Sequence, residues 1–114
     1  MKTSFVNFKF PMITKSITQK EHLKLSKKEL NGKFKIDGDV YHLKNGRPHR
    51  LDGPAIEYSD GGKDWYKNGK LHRLDGPAST FEEDEYYFIN GKEYSYEEWK
   101  ILSFAILNNL KYFL

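Results

Sequence analysis

The sequence predicts a mainly β protein with flanking helices, an α+β fold in which an antiparallel meander of β-hairpins is capped at both ends. The first observation is an internal repeat, because the motif His-Arg-Leu-Asp-Gly-Pro-Ala of residues 49–55 recurs unchanged at residues 72–78. The second is a set of Asn-Gly pairs, at residues 45–46, 68–69 and 90–91, of the kind found in two-residue hairpin turns. The two motif copies and the first two Asn-Gly pairs keep a period of 23 residues, which indicates one small unit stacked on copies of itself.

The 114 residues are enough for a single domain with one modest core. We divide this domain into a basic N-terminal arm and helix (1–32), the β-hairpin repeats (33–94) and a C-terminal capping helix (95–114). The sequence has no cysteine, so neither disulfides nor thiolate metal sites stabilise the fold. We expect a cytoplasmic protein without signal peptide or membrane span, because no apolar run has the length that those segments need.

The N-terminal part mixes aromatic residues with lysines. Residues 1–15 are interpreted as a docking arm or a disordered lead. Thr18 and Glu21 have the spacing of a capping box, and Ser26 and Glu29 have the same spacing, so the segment forms either one helix or two short turns. The apolar residues of this segment are Ile17, Leu23, Leu25 and Leu30. An Asn-Gly pair at residues 31–32 is expected to end it.

From residue 33 each repeat is predicted to contain two short strands and two turns. One turn carries Asp-Gly (37–38 and 60–61) and the other carries Asn-Gly; in the third repeat the first turn is acidic (82–85). On strands this short, most aromatic side chains are expected in the core, although such a ladder could also stack on bases. The ladder consists of Tyr41, Tyr58, Trp65, Tyr66, Phe81, Tyr86, Tyr87 and Phe88.

A C-terminal helix is predicted from Ser95 onwards. Ser95 and Glu98 form a third capping box, and apolar residues recur at helical spacing after it. They are Trp99, Leu102, Ile106, Leu110 and Phe113. A repeat array needs a cap at each end, so this helix either covers the last hairpin or packs on a partner or a second copy. The second alternative would give a homo-oligomer.

The net charge of +3 is unevenly distributed. Residues 1–50 contain 12 Lys and Arg against 4 Asp and Glu, whereas residues 51–114 contain 7 against 12. This asymmetry either marks a basic surface that contacts nucleic acid or an acidic partner, or reflects solvated lysines and an acidic loop.

The repeated motif carries the chemically suggestive side chains. In one interpretation each copy donates Arg and His to a phosphate, and in another His is a general acid–base oriented by a carboxylate. In a third, Asp-Gly-Pro is a structural turn in which Gly takes an unusual φ and Arg pairs with Asp and stacks on Tyr or Trp. Tandem repetition favours the structural interpretation, because each stacked unit needs its own corner.

The Tyr-x-Asn-Gly-Lys pattern with a period of 23, as in residues 66–70, resembles MORN-type repeats. The His-Arg-x-Asp-Gly-Pro-Ala extension is similar to repeat proteins of large tailed bacteriophages and giant viruses. The resemblance covers residues 34–94. It implies a β-hairpin array that serves as an interaction scaffold, and some bacterial members are described as antitoxins.

These observations predict a non-enzymatic protein-binding module, with a phage protein that inhibits a host defence or toxin protein as one instance. No phosphate-binding loop, dinucleotide fingerprint, metalloprotease motif or serine elbow is present, and neither a cofactor nor a metal is expected. The predicted binding residues are His49, Arg50, Asp52, His72, Arg73, Asp75, Lys27, Lys28, Trp65 and Tyr66. The alternative is a nucleic-acid or nucleotide-binding protein that uses the basic N-terminal half and the His-Arg pairs. The cations of that alternative are Lys20, Lys24, Lys27, Lys28, Lys33, Lys35, Arg50 and Arg73.

Overall fold

The computed structural model describes residues 13–109, which form a mixed β-sheet with a helix at its C-terminal end. The strands are β1 (Thr14–Ile17), β2 (Gly32–Ile36), β3 (Asp39–Lys44), β4 (Arg47–Pro48), β5 (Ile56–Glu57), β6 (Lys63–Asp64), β7 (Tyr66–Lys67), β8 (Lys70–Leu71), β9 (Ser79–Phe81), β10 (Asp84–Ile89) and β11 (Lys92–Tyr94). The helices are α1 (Gln19–His22) and α2 (Tyr96–Leu107). The predicted α+β class is confirmed.

The main sheet has the strand order β1-β2-β3-β5-β6-β9-β10-β11, with β4 paired to β3. A separate two-stranded sheet is formed by β7 and β8. The long strands change partner along their length: β3 pairs with β5 through its first half and with β4 through its second half, and β10 divides between β9 and β11 in the same way. Each repeat therefore contributes to the sheet and also projects an Asn-Gly hairpin.

The hairpin turns have the backbone conformation that their sequence predicts. Asn45, Asn68 and Asn90 have φ values of 50°, 51° and 48°, and the glycine after each also has positive φ. Two consecutive positive φ values are typical of type I′ turns, whose twist matches that of the flanking strands. At Asp37-Gly38 the φ values are 49° and 94°, which confirms the predicted turn between β2 and β3.

The N-terminal segment forms two short turns rather than one helix, and each begins at a complete capping box. Thr18 Oγ1 accepts from the Glu21 N–H at 3.1 Å, while Thr18 N–H donates to the Glu21 carboxylate at 2.8 Å. Ser26 and Glu29 exchange the same two bonds, at 3.2 and 2.9 Å. Two competing N-caps eight residues apart leave each turn too short to propagate.

The N-terminal region contains one strand, β1, that the sequence did not predict and that does not fit an antiparallel meander. Ile17, which the sequence places among the apolar residues of the helix, lies in β1, and β1 pairs with β2 in parallel. The parallel direction is possible because the turns of residues 18–31 provide the crossover that such a pair requires. The docking-arm interpretation concerns residues of which 1–12 lie outside the described part of the chain.

The core is small and follows the sheet. Phe34, only 1% exposed, packs with Leu30, Ile36 and Leu43 beneath the first hairpin. Further along, the fully buried side chains are short. Ala55 and Ala78, the last residues of the two motif copies, are 0% exposed. The ladder aromatics are half-buried or exposed rather than central, so the expectation that most of them form the core is wrong.

The C-terminal helix covers the last hairpin, as one of its two interpretations predicts. Ser95 caps α2 and completes the third capping box with Glu98. Trp99 is buried, its ring centroid lies 4.7 Å from that of Tyr87 on β10, and its indole N–H donates to the Arg73 carbonyl at 2.9 Å. The predicted stripe residues Leu110 and Phe113 lie outside the described residues. Neither helix in residues 13–109 is long and apolar enough to span a membrane.

Candidate functional site at the repeated corners

Each copy of the motif forms a corner that is closed by its own arginine. We call residues 49–55 the first corner and residues 72–78 the second. In the second corner Arg73 Nε donates to Asp75 at 2.9 Å, and a terminal guanidinium nitrogen donates to the Pro77 carbonyl at 3.1 Å. In the first corner Arg50 makes the same bonds to Asp52 and Pro54 at 3.1 and 3.2 Å. The predicted Arg–Asp pairing is therefore present in both copies.

The glycine of each corner is needed for space and not for an unusual φ, so that part of the structural interpretation is wrong. Gly53 and Gly76 both lie outside the left-handed region of the backbone. A Cβ atom would come within 2.8 Å of Arg50 Cζ at Gly53 and within 2.7 Å of Arg73 Cζ at Gly76. The guanidinium therefore lies directly against the glycine backbone, where even a methyl group does not fit.

The histidine of each corner links its repeat to the next one. His49 Nδ1 accepts the backbone N–H of Asn68 at 2.9 Å, and His72 Nδ1 accepts that of Asn90 at 3.0 Å. Both bonds end on the Asn of the following Asn-Gly turn. The first turn has no preceding histidine, and there the side-chain oxygen of Asn31 accepts the Asn45 N–H at 2.9 Å. Because Nδ1 is an acceptor, the neutral ring carries its proton on Nε2.

Side chains stack on an aromatic ring at the second corner and again where α2 caps the array. Arg73 Cζ lies 3.7 Å from the centroid of the Trp65 ring, a cation–π geometry. In the third repeat, which lacks the His-Arg pair, the buried Trp99 of α2 packs on Tyr87, the residue equivalent to Trp65. The indole thus takes the position that an arginine has in the earlier repeat.

Between the two corners lies an open cavity of about 280 Å³ that brings five of the predicted binding residues together. It is lined by Arg50, Leu51, Trp65, Lys67, His72, Arg73, Leu74, Asp75 and Leu107. Leu107 comes from α2, so the cavity combines both corners with the C-terminal helix. Arg50, Arg73 and Asp75 are already hydrogen-bonded within the corners, which leaves the leucines and Lys67 as the part of the wall that is available to a partner.

The other predicted residues lie elsewhere. Lys27 borders a separate cavity of about 320 Å³ at the Asn-Gly turns, and Lys28 is exposed. Tyr66 is half-buried, and its pKa is raised by burial first and then by the charge of Asp64. His49 and Asp52 belong to the first corner but do not line the central cavity.

A polar cluster in the sheet was missed by the sequence reasoning. Asp64 accepts hydrogen bonds from the hydroxyl groups of Tyr58, at 2.8 Å, and Ser79, at 2.5 Å. Burial, followed by this bond, raises the pKa of Tyr58. The signal was present in the repeat, because Asp64 stands where the other repeats have Tyr41 and Tyr86. The cluster joins β5, β6 and β9, and its groups satisfy one another.

The histidine links make stability depend on pH in a predictable direction. The pKa of His49 is lowered by burial and then by Lys44 and Lys67, and that of His72 by burial and then by Lys67. A lowered folded-state pKa means that the unfolded chain binds protons more tightly, so stability is full above the ordinary value of 6.5 and falls as the pH drops through it.

We therefore expect the melting temperature of the wild type to fall more between about pH 7.5 and about pH 5.5 than that of the His49→Gln/His72→Gln variant. Differential scanning fluorimetry at matched ionic strength measures this difference. Carboxylates titrate equally in both proteins and cancel in the comparison. Parallel pH profiles for the two proteins would show that the imidazoles do not act as acceptors in solution.

Within residues 13–109 no group of three His, Asp or Glu side chains is placed to hold a metal ion. Comparison of the chain with protein-family models, with curated proteins and with solved structures gave no match. The resemblance to MORN-type repeats thus rests on the motif residues alone.

Proposed function

We propose that the protein is a non-enzymatic protein-binding module whose binding surface is an apolar patch formed by the first corner and α2. The patch consists of Leu51, Ile101, Phe104 and Leu107. The observation that supports it most is the exposure of these side chains, which is 74% for Leu51, 56% for Ile101, 58% for Phe104 and 61% for Leu107. Single exposed apolar residues are common, but a group of neighbours is typical of interaction sites.

The three helical members of the patch lie on the outer side of α2. At 3.6 residues per turn, Ile101, Phe104 and Leu107 fall within about 120° of the helix circumference, opposite the buried Trp99. Leu107 and Leu51 both line the central cavity, so the patch continues from the helix into the space between the corners. Arg50, Lys67 and Asp75 surround that space, which gives an apolar centre with a polar rim.

The bonding of the corner residues favours binding over catalysis. Nδ1 of His49 and of His72 accepts a backbone N–H of the next repeat, so Nε2 of the neutral ring carries the proton and has no lone pair with which to act as a general base. Arg50 and Arg73 are held by their own Asp and Pro residues. These contacts support a structural role for the motif, and they weaken the alternative in which the His-Arg pairs contact nucleic acid.

The motif resemblance extends the proposal to the kind of partner. A small repeat protein of the phage type would act by covering a functional surface of a host defence or toxin protein, without chemistry of its own. The exposed leucines and phenylalanine of the patch fit an apolar groove or helix on such a partner. The competing occupant is a second copy of this chain, which would bury the same side chains in a homodimer.

The test is an affinity pull-down from host lysate after nuclease treatment, with three forms of the tagged protein. They are the wild type, the patch variant Leu51→Ser/Leu107→Ser, and the control variant Leu23→Ser/Phe81→Ser, which removes exposed apolar side chains away from the patch. We expect the wild type and the control to retain one protein at stoichiometric yield and the patch variant to lose at least about tenfold of it.

Equal retention by all three forms would contradict the proposed surface. Light scattering of the purified protein addresses self-association. A concentration-dependent dimer that only the patch variant abolishes would assign the patch to a second copy and exclude a host partner as its main occupant.

A further inference from the structure

The lysines and arginine around the Asn-Gly turns form a continuous basic edge. Every repeat has its Asp-Gly or acidic turn before, and its Asn-Gly turn after, the same segment, which is β3 in the first repeat, β6 with β7 in the second and β10 in the third. The sheet therefore has two different edges, by which we mean the two rows of turns at the ends of its strands. The first edge carries the Asp-Gly and acidic turns, and the second carries the Asn-Gly turns. The acidic residues at the first edge are Asp37, Asp39, Asp60, Glu82, Glu83, Asp84 and Glu85. The basic edge consists of Lys27, Lys44, Arg47, Lys67, Lys70 and Lys92.

The contacts along the basic edge form a regular ladder. The stems of three of the six cations, Lys27, Arg47 and Lys70, each lie across the glycine of an Asn-Gly turn. A Cβ at Gly46 would be 3.4 Å from Lys27 Cγ, and one at Gly69 would be 3.2 Å from Arg47 Cδ. A Cβ at Gly91 would be 3.6 Å from Lys70 Cβ. Packed stems have fewer rotamers to lose when the charged ends bind a ligand.

Neighbouring cations of the ladder also share space across the repeats. Lys27, Lys44 and Arg47 line the cavity of about 320 Å³ together with Asn45 and Asn68. The charges of Lys44 and Lys67 both lower the pKa of His49, which places these cations of successive repeats near the same imidazole. Like charges brought together in this way repel one another, and an anion would relieve that repulsion.

The charges of the basic edge are not neutralised within the described chain. Among residues 13–109 the ion pairs within 4 Å all use Arg50 or Arg73, which belong to the corners. The three Asn-Gly turns, from the residue before Asn to the residue after Gly, contain neither Asp nor Glu. All six cations of the edge are exposed.

We propose that the basic edge binds the phosphate backbone of a nucleic acid without reading its sequence. One repeat spans two strands of the main sheet, so successive turns are about 9–10 Å apart, and the ligand must carry charge at regular intervals along a line. A nucleic acid does so, whereas an acidic protein surface carries irregular charge. The cavity at the turns has no aromatic lining on which a base could stack, so the contacts are with phosphates.

This surface differs from the apolar patch and from the cations that the sequence suggests. Of the eight cations in the sequence-based alternative, the edge includes Lys27 alone. Arg50 and Arg73 are held within the corners, and Lys44, Arg47, Lys67, Lys70 and Lys92 become relevant through their position at the turns.

The test is fluorescence anisotropy with a labelled mixed-sequence oligonucleotide of about 20 nucleotides, single-stranded and as a duplex, over a range of salt concentrations. The edge variant is Lys44→Gln/Arg47→Gln/Lys70→Gln, which leaves Lys67 at the rim of the apolar patch unchanged. The matched control, Lys20→Gln/Lys35→Gln/Lys63→Gln, removes the same charge from exposed positions away from the edge. The apolar-patch variant Leu51→Ser/Leu107→Ser serves as a second control.

We expect the edge variant to bind at least about tenfold more weakly at low salt, and its salt slope to fall by about 2 to 3, because three phosphate contacts are lost. The charge control and the patch variant should keep affinities within about threefold of the wild type. Equal losses in the edge variant and the charge control, a flat salt dependence, or binding to anionic vesicles or acidic peptides but not to the oligonucleotide would each overturn the proposal. The patch variant keeps all six cations of the edge, so its oligonucleotide binding does not depend on whether the protein-binding proposal is correct.

Discussion

Replacing Trp99 by Ala should destabilise the protein by about 3–5 kcal/mol, the range expected when a large buried aromatic side chain is truncated. Trp99 is 7% exposed, packs on Tyr87 and Tyr96, and donates its indole N–H to the Arg73 carbonyl. Its loss opens a cavity at the end of the sheet and removes the contact that holds α2 against the second corner. Urea unfolding followed by circular dichroism measures the change.

Trp99→Phe separates the two parts of this effect. Phenylalanine retains the stacking on Tyr87 but leaves the Arg73 carbonyl without its donor, so we expect a smaller loss of about 1–2 kcal/mol. A loss below about 1 kcal/mol for Trp99→Ala would mean that α2 does not cap the array.

Replacing Gly76 by Ala should cost about 1–3 kcal/mol, a large effect for the addition of one methyl group. The new Cβ would come within 2.7 Å of Arg73 Cζ, so the guanidinium must leave Trp65, Asp75 and the Pro77 carbonyl. The backbone conformation at this position tolerates alanine, and the cost therefore comes from the displaced arginine.

A double-mutant cycle with Arg73→Ala tests that explanation. With the guanidinium absent, Gly76→Ala should be nearly neutral, and the two single changes should not add. Additive costs would show that the glycine is required for a reason other than the arginine. The same cycle at Gly53 and Arg50 repeats the test in the first corner.

Features fixed by local chemistry could be predicted from the sequence. The Asn-Gly and Asp-Gly turns, the three capping boxes and the C-terminal helix all follow from contacts between residues close in the chain. The pairing of Arg with Asp, and its stacking on a Tyr or Trp, were also predicted in the structural interpretation of the motif, and Arg73 stacks on Trp65. The period of 23 residues predicted that the repeats stack on one another.

The remaining features depend on contacts between distant residues. No local signal predicts that β1, which contains Ile17, pairs in parallel with β2. The relative direction of the two strands depends on the crossover that connects them. The role of Gly76 becomes visible only when the Arg73 side chain is placed against it. The sequence divides charge between the two halves of the chain, whereas folding divides it between two edges, because each repeat returns its Asn-Gly turn to the same side.

The histidines illustrate how the candidate site differs from its sequence signature. His49 and His72 stand beside Arg and Asp in the sequence, as in an acid–base or phosphate site, yet Nδ1 of each ring accepts a hydrogen bond from the next repeat. The same motif thus gives the array its spacing, while the surfaces proposed for binding lie beside it.

The most direct test of this account is nitrogen NMR of the imidazole rings at neutral pH. A structural role for the motif predicts that His49 and His72 are both neutral, with the proton on Nε2 and Nδ1 hydrogen-bonded to the N–H of Asn68 and of Asn90. Rings protonated on Nδ1, or exchanging freely between tautomers, would contradict it and return the two histidines to the list of groups available to a ligand or substrate.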